Sequence, residues 1–354
     1  MTPHAIEPDP AGRPSAEPSR GGLRLLIAMP ALNEEKVIAD VIHGVPESIP
    51  GVSSFKIVVV DDGSTDQTAA RAMEAGAVVL KHLKTLGVGG AFHTALAYAI
   101  ERGFDLVVSI DSDGQFDPAY IPALIAPIVA GETDFATASR FKDPALLPQM
   151  PWIKRWGNRL MSRLISRISG QTFYDVSCGM RAYNRRALLH LNLLGAFTYT
   201  QEVFLNLAFK GIRIAEVPVP VRGRREHGTS RVASNLWQYG LRTLRIIFRC
   251  YRDYRPLRFF GRIALALAVP AVLLEGFLLI HYLQTGQFSP HKWAGFTGLG
   301  LIVLSLAAMH MGMIGDMLNR HRIYLEELLY QARRRDGRDR QAARNRGKAD
   351  TPDT

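Results

Sequence analysis

One short stretch of the chain concentrates residues whose types and spacing could do chemistry. Residues 106–110 form a short apolar run that is typical of a buried strand. The seven residues that follow it include three carboxylates and one amide, namely Asp111, Asp113, Gln115 and Asp117. Carboxylates at the carboxyl end of a buried strand lie where open α/β sheets bind ligands. They suit Mg²⁺ or Mn²⁺ shared with a substrate phosphate, although a simple turn rich in Asp and Gly is the alternative.

The elements that must position these residues follow the repeating order strand, loop, helix. Short apolar runs predict strands at 23–29, 55–60, 77–80 and 106–110, and helical spacing predicts helices at 35–45, 65–75 and 89–102. Ser64-x-x-Gln67 is typical of a capping box, and Asp117–Pro118 is typical of an N-cap followed by the first helical residue. Alternating βα units imply an α/β fold with a mainly parallel, doubly wound sheet.

Polar residues follow each of the four predicted strands. Strand by strand they are Asn33 and Glu34, Asp61 and Asp62, the loop Gly87-x-Gly89-Gly90, and Asp111 with Asp113. Because parallel strands end at the same edge of a sheet, these residues should share one crevice. The G-x-G-x-x-G motif of a dinucleotide dehydrogenase does not follow the first strand, and a Walker A motif is absent. The pattern favours a nucleotide with a metal-bound diphosphate.

Composition and charge restrict the protein's class and partners. A chain of 354 residues allows one or two domains with a large core. Cys178 and Cys250 are the only cysteines, which excludes a disulfide framework or a zinc cluster and fits a reducing compartment. The 43 basic residues against 32 acidic ones give a net charge of +11, which predicts an anionic partner such as nucleic acid, anionic lipid or a phosphorylated substrate.

Four short motifs together resemble a known enzyme family. They are residues 30–34, residues 61–64, the glycine loop at 87–91, and residues 111–115. They resemble the inverting family 2 glycosyltransferases of GT-A fold, and among them the polyprenyl-phosphate sugar transferases, including the dolichol-phosphate mannose synthases. The resemblance covers residues 23–233, which we predict to form the catalytic domain after a disordered leader at 1–22.

The resemblance implies a role for each matching residue. The donor-binding set is Pro30, Asn33, Glu34, Asp61, Asp62, Gly89, Ser112 and Glu202, and the metal set for Mg²⁺ or Mn²⁺ is Asp111, Asp113 and Gln115. The residues for the acceptor phosphate are Arg140, Arg155, Arg181, Arg225, Ser230 and Arg231. Asp113, Arg140 and Asp175 would be the catalytic residues. Asp175 would stabilise positive charge on the sugar, with a role as base left open.

Some positions depart from the family pattern or allow a second interpretation. Thr85 stands where many relatives have Asn, and the dolichol-type enzymes have an Arg and a Ser near Met150 and Lys154. Lys154 or Arg155 could substitute at the acceptor phosphate. A stripe of arginines on one helix face, at 155, 159, 163 and 167, is also typical of a solvated or membrane-facing surface. Arg181 could instead pair with a structural carboxylate.

The part of the chain after residue 233 predicts attachment to a membrane. Arginines spaced by three or four among apolar residues predict an interfacial amphipathic helix at 234–258. Residues 259–282 and 293–318 are each long enough to span about 30 Å of hydrocarbon, with a buried helix pair of a soluble core as the alternative. Glu275 interrupts the first span. It could be functional, or hydrogen-bonded to the second span or to a neighbouring subunit, which leaves a homo-oligomer open.

The charge distribution predicts the orientation of this integral membrane protein. Arginines precede the first span and follow the second, whereas the connecting loop carries only Lys292. The catalytic domain and both termini should therefore be cytoplasmic. Residues 319–354 form a basic tail, which we expect to be disordered from Gln331 onward and to lie along anionic lipid.

The sequence as a whole predicts an enzyme. Inverting, metal-dependent transfer of a sugar from a nucleotide diphosphate sugar to a polyprenyl phosphate at the cytoplasmic membrane face is the main hypothesis. A processive polysaccharide synthase and a non-enzymatic membrane scaffold that binds sugar nucleotides are the alternatives. Nucleic acid is not expected as a partner, because helix-turn-helix, RRM and zinc-finger patterns are absent.

Overall fold

The computed structural model describes residues 22–148, 150, 152–192, 200–222 and 236–349. These residues divide into two compact units, each built from several chain segments. The first unit comprises the described parts of Met1–Pro151, Cys178–Leu188 and Arg213–Gly228, and the second comprises those of Trp152–Ser177, Leu189–Ile212 and Thr229–Thr354. The predicted leader, apart from residue 22, and the basic loop with Arg225, Ser230 and Arg231 lie outside the described residues.

The first unit contains one seven-stranded sheet. Its strands are β1 (Leu23–Ala31), β2 (Val52–Asp61), β3 (Val78–Lys81), β4 (Leu106–Ser109), β5 (Phe135–Ser139), β6 (Arg181–Asn184) and β7 (Ile214–Pro218). They lie in the order β3-β2-β1-β4-β6-β5-β7. Only β6 among them is antiparallel to its neighbours, so the other six strands end at the same edge. The predicted α/β fold with a mainly parallel sheet is confirmed.

The central strands are apolar because helices cover the faces of a parallel sheet. All four residues of β4 are buried, and its Leu106 and Val108 belong to the same core cluster as apolar residues of β1. The order of strands reverses between β1 and β4, which is the switch point where open α/β sheets bind ligands. The sheet therefore places the residues after β1 and β4 side by side.

The helices of the first unit follow the predicted order with shifted ends. They are α1 (Ile38–His43), α2 (Thr68–Glu74), α3 (Gly87–Arg102) and α4 (Ile121–Val129), and α6 (Arg185–His190) runs from the first unit into the second. The N-cap at Asp117 is confirmed, since its side chain accepts a hydrogen bond from the Ala119 amide. The capping box at Ser64 is wrong, because the Ser64 hydroxyl instead accepts a hydrogen bond from the Asn33 amide.

The second unit is helical. Its helices are α5 (Trp152–Ser169), α7 (Thr200–Phe209), α8 (Leu236–Tyr254), α9 (Pro256–Thr285) and α10 (Lys292–Ala349). The buried side chains of Phe173 and Phe204 pack edge to face in this unit, with 4.9 Å between ring centroids. Segments 152–177 and 189–212, which we predicted within one domain at 23–233, thus group with α8, α9 and α10.

Helices α9 and α10 are the two described helices that are long and apolar enough to cross a membrane. Glu275 of α9 lies against α10, where a Cβ at Gly298 would be 2.6 Å from its Oε1 atom. The glycine therefore makes room for this carboxylate between the helices. The disorder predicted from Gln331 onward is wrong as far as Ala349, since α10 continues to that residue.

Candidate active site

The carboxyl edge of the sheet holds most of the predicted site residues of the first unit. Asp111 and Asp113 follow β4, and Arg140 follows β5, which runs parallel to β4. Strand β6 runs the other way, so its first residues reach the same edge, and Arg181 lies opposite Ser109. Donor, metal and acceptor residues of the first unit therefore share one edge.

A tight turn holds Asp113 in place. Its side chain is buried, and its Oδ1 accepts a hydrogen bond from the Gln115 amide at 3.0 Å. Gly114 between them has a φ of 72°, which favours glycine, and a Cβ there would also lie 2.9 Å from Val37. The turn is thus fixed by the backbone and by a neighbouring helix.

Asp111 lies against the start of the antiparallel strand. A Cβ added to Gly179 would lie only 2.1 Å from the Asp111 Oδ2 atom, so the carboxylate occupies space that any other residue would fill. Among the described residues, no three His, Cys, Asp or Glu side chains form a metal-binding group. Mg²⁺ and Mn²⁺ do not need one, because such ions are commonly held by one or two carboxylates together with substrate phosphates. Asp111 and Asp113 fit such an ion by ligand chemistry.

The carboxylate of Asp61 is fully buried at the end of β2. Its Oδ1 accepts a hydrogen bond from the Ser64 amide at 2.8 Å, and its Oδ2 lies 3.8 Å from the Lys81 ammonium. Within the described residues, Oδ2 has no hydrogen-bond partner. A buried acceptor of this kind could receive a hydrogen bond from a ligand.

The carboxylate of Asp62 organises the glycine loop. It accepts hydrogen bonds from the Leu86 and Gly87 amides, both at 2.8 Å, and contacts His82 Nδ1 at 2.7 Å. The other ring nitrogen of His82 contacts the hydroxyl of Thr94 on α3. Asp62 therefore holds the loop at the start of α3, the helix that contains the buried Gly89. The sequence analysis did not predict this role for His82 or Thr94. The sequence feature that could have indicated it is an Asp, a His and a glycine loop at neighbouring strand ends.

The loops after β1, β2 and β4 are tied to one another. Asn33 has a φ of 57° and its side chain accepts a hydrogen bond from the Thr65 amide, while the amide of Glu34 donates to the Thr68 hydroxyl. Ser112 donates from its hydroxyl to the carbonyl of Pro30 at 2.7 Å. These predicted donor-binding residues thus connect three strand ends, and Glu34 keeps a half-buried side chain.

The two arginines of this unit that we expected at the acceptor phosphate differ in exposure. Arg140 is partly exposed and its guanidinium lies 5.4 Å from the Phe141 ring centroid. Arg181 is completely buried in β6, and its Nε donates to the Cys178 carbonyl at 2.8 Å. Arg181 is therefore enclosed within the sheet, and its contact with an acceptor phosphate stays a prediction.

Asp175 belongs to the second unit and is fully buried. Its Oδ1 accepts a hydrogen bond from the Ser177 amide at 3.1 Å, and the Ser177 hydroxyl oxygen lies at the same distance. The Ser177 hydroxyl donates its proton to Oδ1 of Asn158 on α5 at 2.6 Å. The sequence did not predict roles for Ser177 or Asn158. The sequence feature that could have indicated them is the polar stripe that Asn158 forms with later serines of α5.

The helix α5 presents a different chemistry on its outside. The predicted arginine stripe is exposed at each of its four positions, 155, 159, 163 and 167. Two large aromatic side chains near them are also exposed, Trp152 by 75% and Trp156 by 60%. Exposed Trp beside Arg is typical of a surface that meets lipid headgroups. Arg155 lies on this surface, whereas the half-buried Asn158 of the same helix reaches Ser177.

Glu202 lies on α7 in the second unit with 7% of its surface exposed. Burial raises the pKa of Cys250 on α8 to about 12, and the negative charges of Glu202 and Asp253 add to the effect. Cys250 is therefore a neutral thiol at physiological pH and not a nucleophile. The α7 helix is further held by Asn206, whose amide donates to the Tyr254 hydroxyl of α8.

Comparison with known proteins finds one family description and several relatives. The sequence pattern of "Glycosyl transferase family 2" matches residues 26–191. The chain is 32% identical to the UDP-N-acetylglucosamine–dolichyl-phosphate N-acetylglucosaminyltransferase of Methanococcus voltae, over 55% of this chain and 84% of that protein. It is 26% identical to the dodecaprenyl-phosphate galacturonate synthase of Rhizobium johnstonii, over 86% of this chain and 92% of that protein.

A solved structure shares the fold. The crystal structure of glucosyl-3-phosphoglycerate synthase from Mycobacterium tuberculosis with Mn²⁺, UDP-glucose and phosphoglyceric acid superposes with a TM-score of 0.52. The sequences are 24% identical, and the match covers 65% of this chain and 80% of that chain.

Proposed function

The chain belongs to glycosyl transferase family 2, within its polyprenyl-phosphate sugar transferase subgroup, and on this premise we propose that it transfers a sugar from a nucleotide diphosphate sugar to a polyprenyl phosphate. The transfer inverts the anomeric centre, depends on a divalent metal and takes place at the cytoplasmic face of a membrane. The relatives named for dolichyl phosphate and dodecaprenyl phosphate support a polyprenyl phosphate as acceptor.

The observation that carries this proposal is that one chain joins a glycosyltransferase sheet to two long apolar helices. The 30 residues of α9 extend about 45 Å at 1.5 Å per residue, enough to cross a bilayer. Only 11% of the most apolar window of α9, and likewise of α10, is buried. A helix pair in a soluble core would be mostly buried, so this exposure supports membrane spans. A lipid acceptor whose tail stays in the bilayer fits such an anchor.

The charge pattern supports a cytoplasmic catalytic domain. Arg255 and Arg258 flank the start of α9, and Arg320 and Arg322 follow the apolar part of α10. The loop between the two helices carries only Lys292. By the positive-inside rule, the arginine-rich ends lie in the cytoplasm with both termini.

The carboxylates after β4 would hold the metal. Asp111 and Asp113, with Gln115, are the residues that would hold Mg²⁺ or Mn²⁺. When bound, the ion would neutralise the negative charge that develops on the leaving nucleoside diphosphate. Gly179 contributes by leaving space for the Asp111 carboxylate.

The loops after β1, β2 and β3 would hold the donor. Asp61 would accept a hydrogen bond from the base or ribose through its buried Oδ2, which has no hydrogen-bond partner in the described part of the chain. Glu34 keeps a half-buried carboxylate beside the same strand ends. Asp62 acts on the donor through the glycine loop whose amides it fixes.

The acceptor needs orientation more than activation, because its phosphate is already anionic at neutral pH. Arg140 would bind this phosphate, with Arg155 of α5 and the basic loop at Arg225, Ser230 and Arg231 as further ligands. Asp175 and Glu202 of the second unit would face the sugar, where Asp175 stabilises positive charge at the anomeric carbon. Attack from the side opposite the diphosphate inverts the anomeric centre.

A donor and acceptor panel tests this proposal. The purified full chain is reconstituted in vesicles with dolichyl or dodecaprenyl phosphate and with Mg²⁺ or Mn²⁺. UDP-N-acetylglucosamine, UDP-galacturonate, UDP-glucose and GDP-mannose are added separately, and lipid products are identified by mass and anomeric configuration. We expect one sugar per lipid, with Asp113→Asn as the inactive control.

The same assay distinguishes the alternatives. Lipids that carry long runs of sugar would indicate a processive polysaccharide synthase. Donor binding without product in every combination would indicate a non-enzymatic scaffold.

A further inference from the structure

We infer that Asn158 is a positioning residue for Asp175 and acts through the hydroxyl of Ser177. This inference rests on the proposed function, in which Asp175 stabilises charge on the sugar. The face of α5 that carries Asn158 would therefore assist the reaction, independently of the exposed arginines on the same helix.

The first step is a polar stripe on α5. Asn158, Ser162, Ser166 and Ser169 are spaced by four, four and three residues, which places them on one helix face. Each contacts the segment of residues 171–177 that follows the helix. The Ser162 hydroxyl donates to the Tyr174 carbonyl, and the Ser166 and Ser169 hydroxyls accept from the amides of Phe173 and Gln171. These hydrogen bonds from α5 hold the segment that carries Asp175.

The second step is the orientation of the Asn158 amide. Its Nδ2 donates to the Tyr174 carbonyl at 3.2 Å, which fixes which side of the amide is nitrogen. Its Oδ1 therefore faces the Ser177 hydroxyl at 2.6 Å. Asn158 reaches a side chain in this way, whereas the hydrogen bonds of Ser162 to the segment end at the backbone.

The third step is the link to the carboxylate. The Ser177 hydroxyl and amide both lie 3.1 Å from Asp175 Oδ1, and Asp175 is completely buried. A buried carboxylate keeps its charge and orientation only if hydrogen-bond donors surround it. The one hydroxyl proton of Ser177 goes to Asn158 at the shorter distance, so Asp175 receives its hydrogen bond from the Ser177 amide, and Asn158 acts by fixing the residue that supplies this amide. A small displacement of a catalytic group can cost about a hundredfold in rate.

The test compares four variants of the full chain in vesicles, with the donor and lipid selected by the panel. We expect Asn158→Ala and Ser177→Ala to lower kcat about ten- to hundredfold while the donor KM changes less than about twofold. Ser177→Thr keeps the hydroxyl and should restore most of kcat. Ser162→Ala is the matched control, since it removes a hydrogen bond from α5 to Tyr174 without touching Ser177, and its kcat should stay within about twofold of the parent.

Two further measurements separate positioning from loss of structure. Affinity for UDP or GDP, whichever is the product, should be equal in all variants, and the melting temperatures of Asn158→Ala and Ser162→Ala should be similar. The kcat of the double variant Asn158→Ala/Ser177→Ala should be close to that of the less active single variant, because both changes break the same connection.

The outcomes distinguish this inference from the proposed function. If Asp175→Asn abolishes turnover while Asn158→Ala and Ser177→Ala keep normal kcat, the positioning role is wrong and the proposed function stands. If Asp175→Asn turns over normally, the role of Asp175 fails and the inference fails with it. A loss in Ser162→Ala as large as that in Asn158→Ala would show general loosening of the segment, which also contradicts the inference.

Discussion

The acidic residues of the first unit differ in what they can offer a ligand. Asp62 accepts two backbone hydrogen bonds and contacts His82, so its carboxylate is engaged in holding the glycine loop. Asp61 keeps one buried oxygen without a hydrogen-bond partner in the described part of the chain. Adjacent residues in one motif thus differ in what remains for a ligand, since the carboxylate of Asp62 is engaged by the loop and that of Asp61 retains one acceptor atom. Their hydrogen bonds distinguish them, because both are buried aspartates.

Gly179 gives a prediction at the residue scale about the metal. In Gly179→Ala the new Cβ would lie 2.1 Å from Asp111 Oδ2, so the carboxylate must move. Because a side-chain end can rotate away cheaply, we expect little change in melting temperature but at least a tenfold loss of Mn²⁺ affinity. Titration of Mn²⁺ in the presence of UDP, followed by electron paramagnetic resonance, measures this.

The matched control for this change is Gly157→Ala. A Cβ at Gly157 meets nothing within 4 Å, and the residue lies in α5, where alanine favours the helix. Its Mn²⁺ affinity should equal that of the parent. Unchanged Mn²⁺ affinity in Gly179→Ala would argue that Asp111 is not a metal ligand.

At the scale of elements, an ion-pair cluster joins three strands at the sheet edge opposite the candidate site. Asp134, just before β5, is 2% exposed and accepts a bidentate pair of hydrogen bonds from the Arg213 guanidinium, just before β7. Asn184 at the end of β6 donates to the same carboxylate. Burial opposes ionisation of Asp134, but these hydrogen bonds outweigh it and hold its pKa below the ordinary value.

This lowered pKa predicts how stability depends on pH. The ionised form of Asp134 is favoured by folding, so its contribution is present above the unfolded pKa of about 3.9 and is lost as the pH falls through the folded value. Asp134→Asn should therefore lower the melting temperature at pH 7, and the difference from the parent should shrink below about pH 4. The exposed Glu132→Gln is the control and should show almost no difference at either pH. A difference for Asp134→Asn that does not depend on pH would contradict this account.

The elements also show why sequence predicted part of the fold and missed the rest. Strands β1 to β4 are apolar runs between helices, so local periodicity is enough to find them. Strands β5 and β6 read FATAS and RAYN, which carry little apolar pattern, and they form because long-range pairing completes the sheet. The carboxylates after β4 were predictable from one loop. The approach of Gly179 to Asp111 was not, because it depends on β6 running antiparallel to β4.

The extension of α10 beyond its apolar part gives a second prediction for an element. Arg333 donates from Nη1 to the carbonyls of Leu189 and Leu191 and to the Asn192 side chain. Arg333→Ala would leave these acceptors without the donor, which costs about 1–3 kcal/mol of unfolding free energy. The neighbouring, exposed Arg334→Ala is the matched control and should cost less than about 0.5 kcal/mol. Thermal unfolding of the full chain in detergent measures both, and equal losses would mean that α10 does not hold this segment.

Nearby contacts explain why the extension is a helix and not a disordered tail. Lys210, just after α7, forms an ion pair with Glu326 at 3.3 Å, and the rings of His190 and Tyr330 pack at 4.0 Å. Burial lowers the pKa of Lys210, while the Glu326 charge acts in the opposite direction. These contacts involve single side chains far apart in the sequence, so the basic composition alone could not predict them.

At the scale of the whole molecule, the long apolar helices cannot be separated cleanly from the other helices of the second unit. Tyr254 of α8 contacts Asn206, and Glu326 of α10 contacts Lys210, so a chain shortened before α8 would lose contacts with α7. A loss of activity after such shortening would therefore not reveal whether anchoring or folding had failed. The role of the anchor is better tested with the intact chain by changing the position of the lipid substrate.

We predict that anchoring acts by raising the local concentration of the acceptor. A long polyprenyl phosphate stays in its bilayer, so enzyme and acceptor in the same vesicle meet at a high effective concentration, whereas those in separate vesicles meet by slow exchange. Transfer to dodecaprenyl phosphate should be at least tenfold faster when both share a vesicle. A short, water-soluble prenyl phosphate diffuses between vesicles and should be used equally well in both arrangements. Equal rates with dodecaprenyl phosphate in the two arrangements would show that α9 and α10 do not deliver the acceptor.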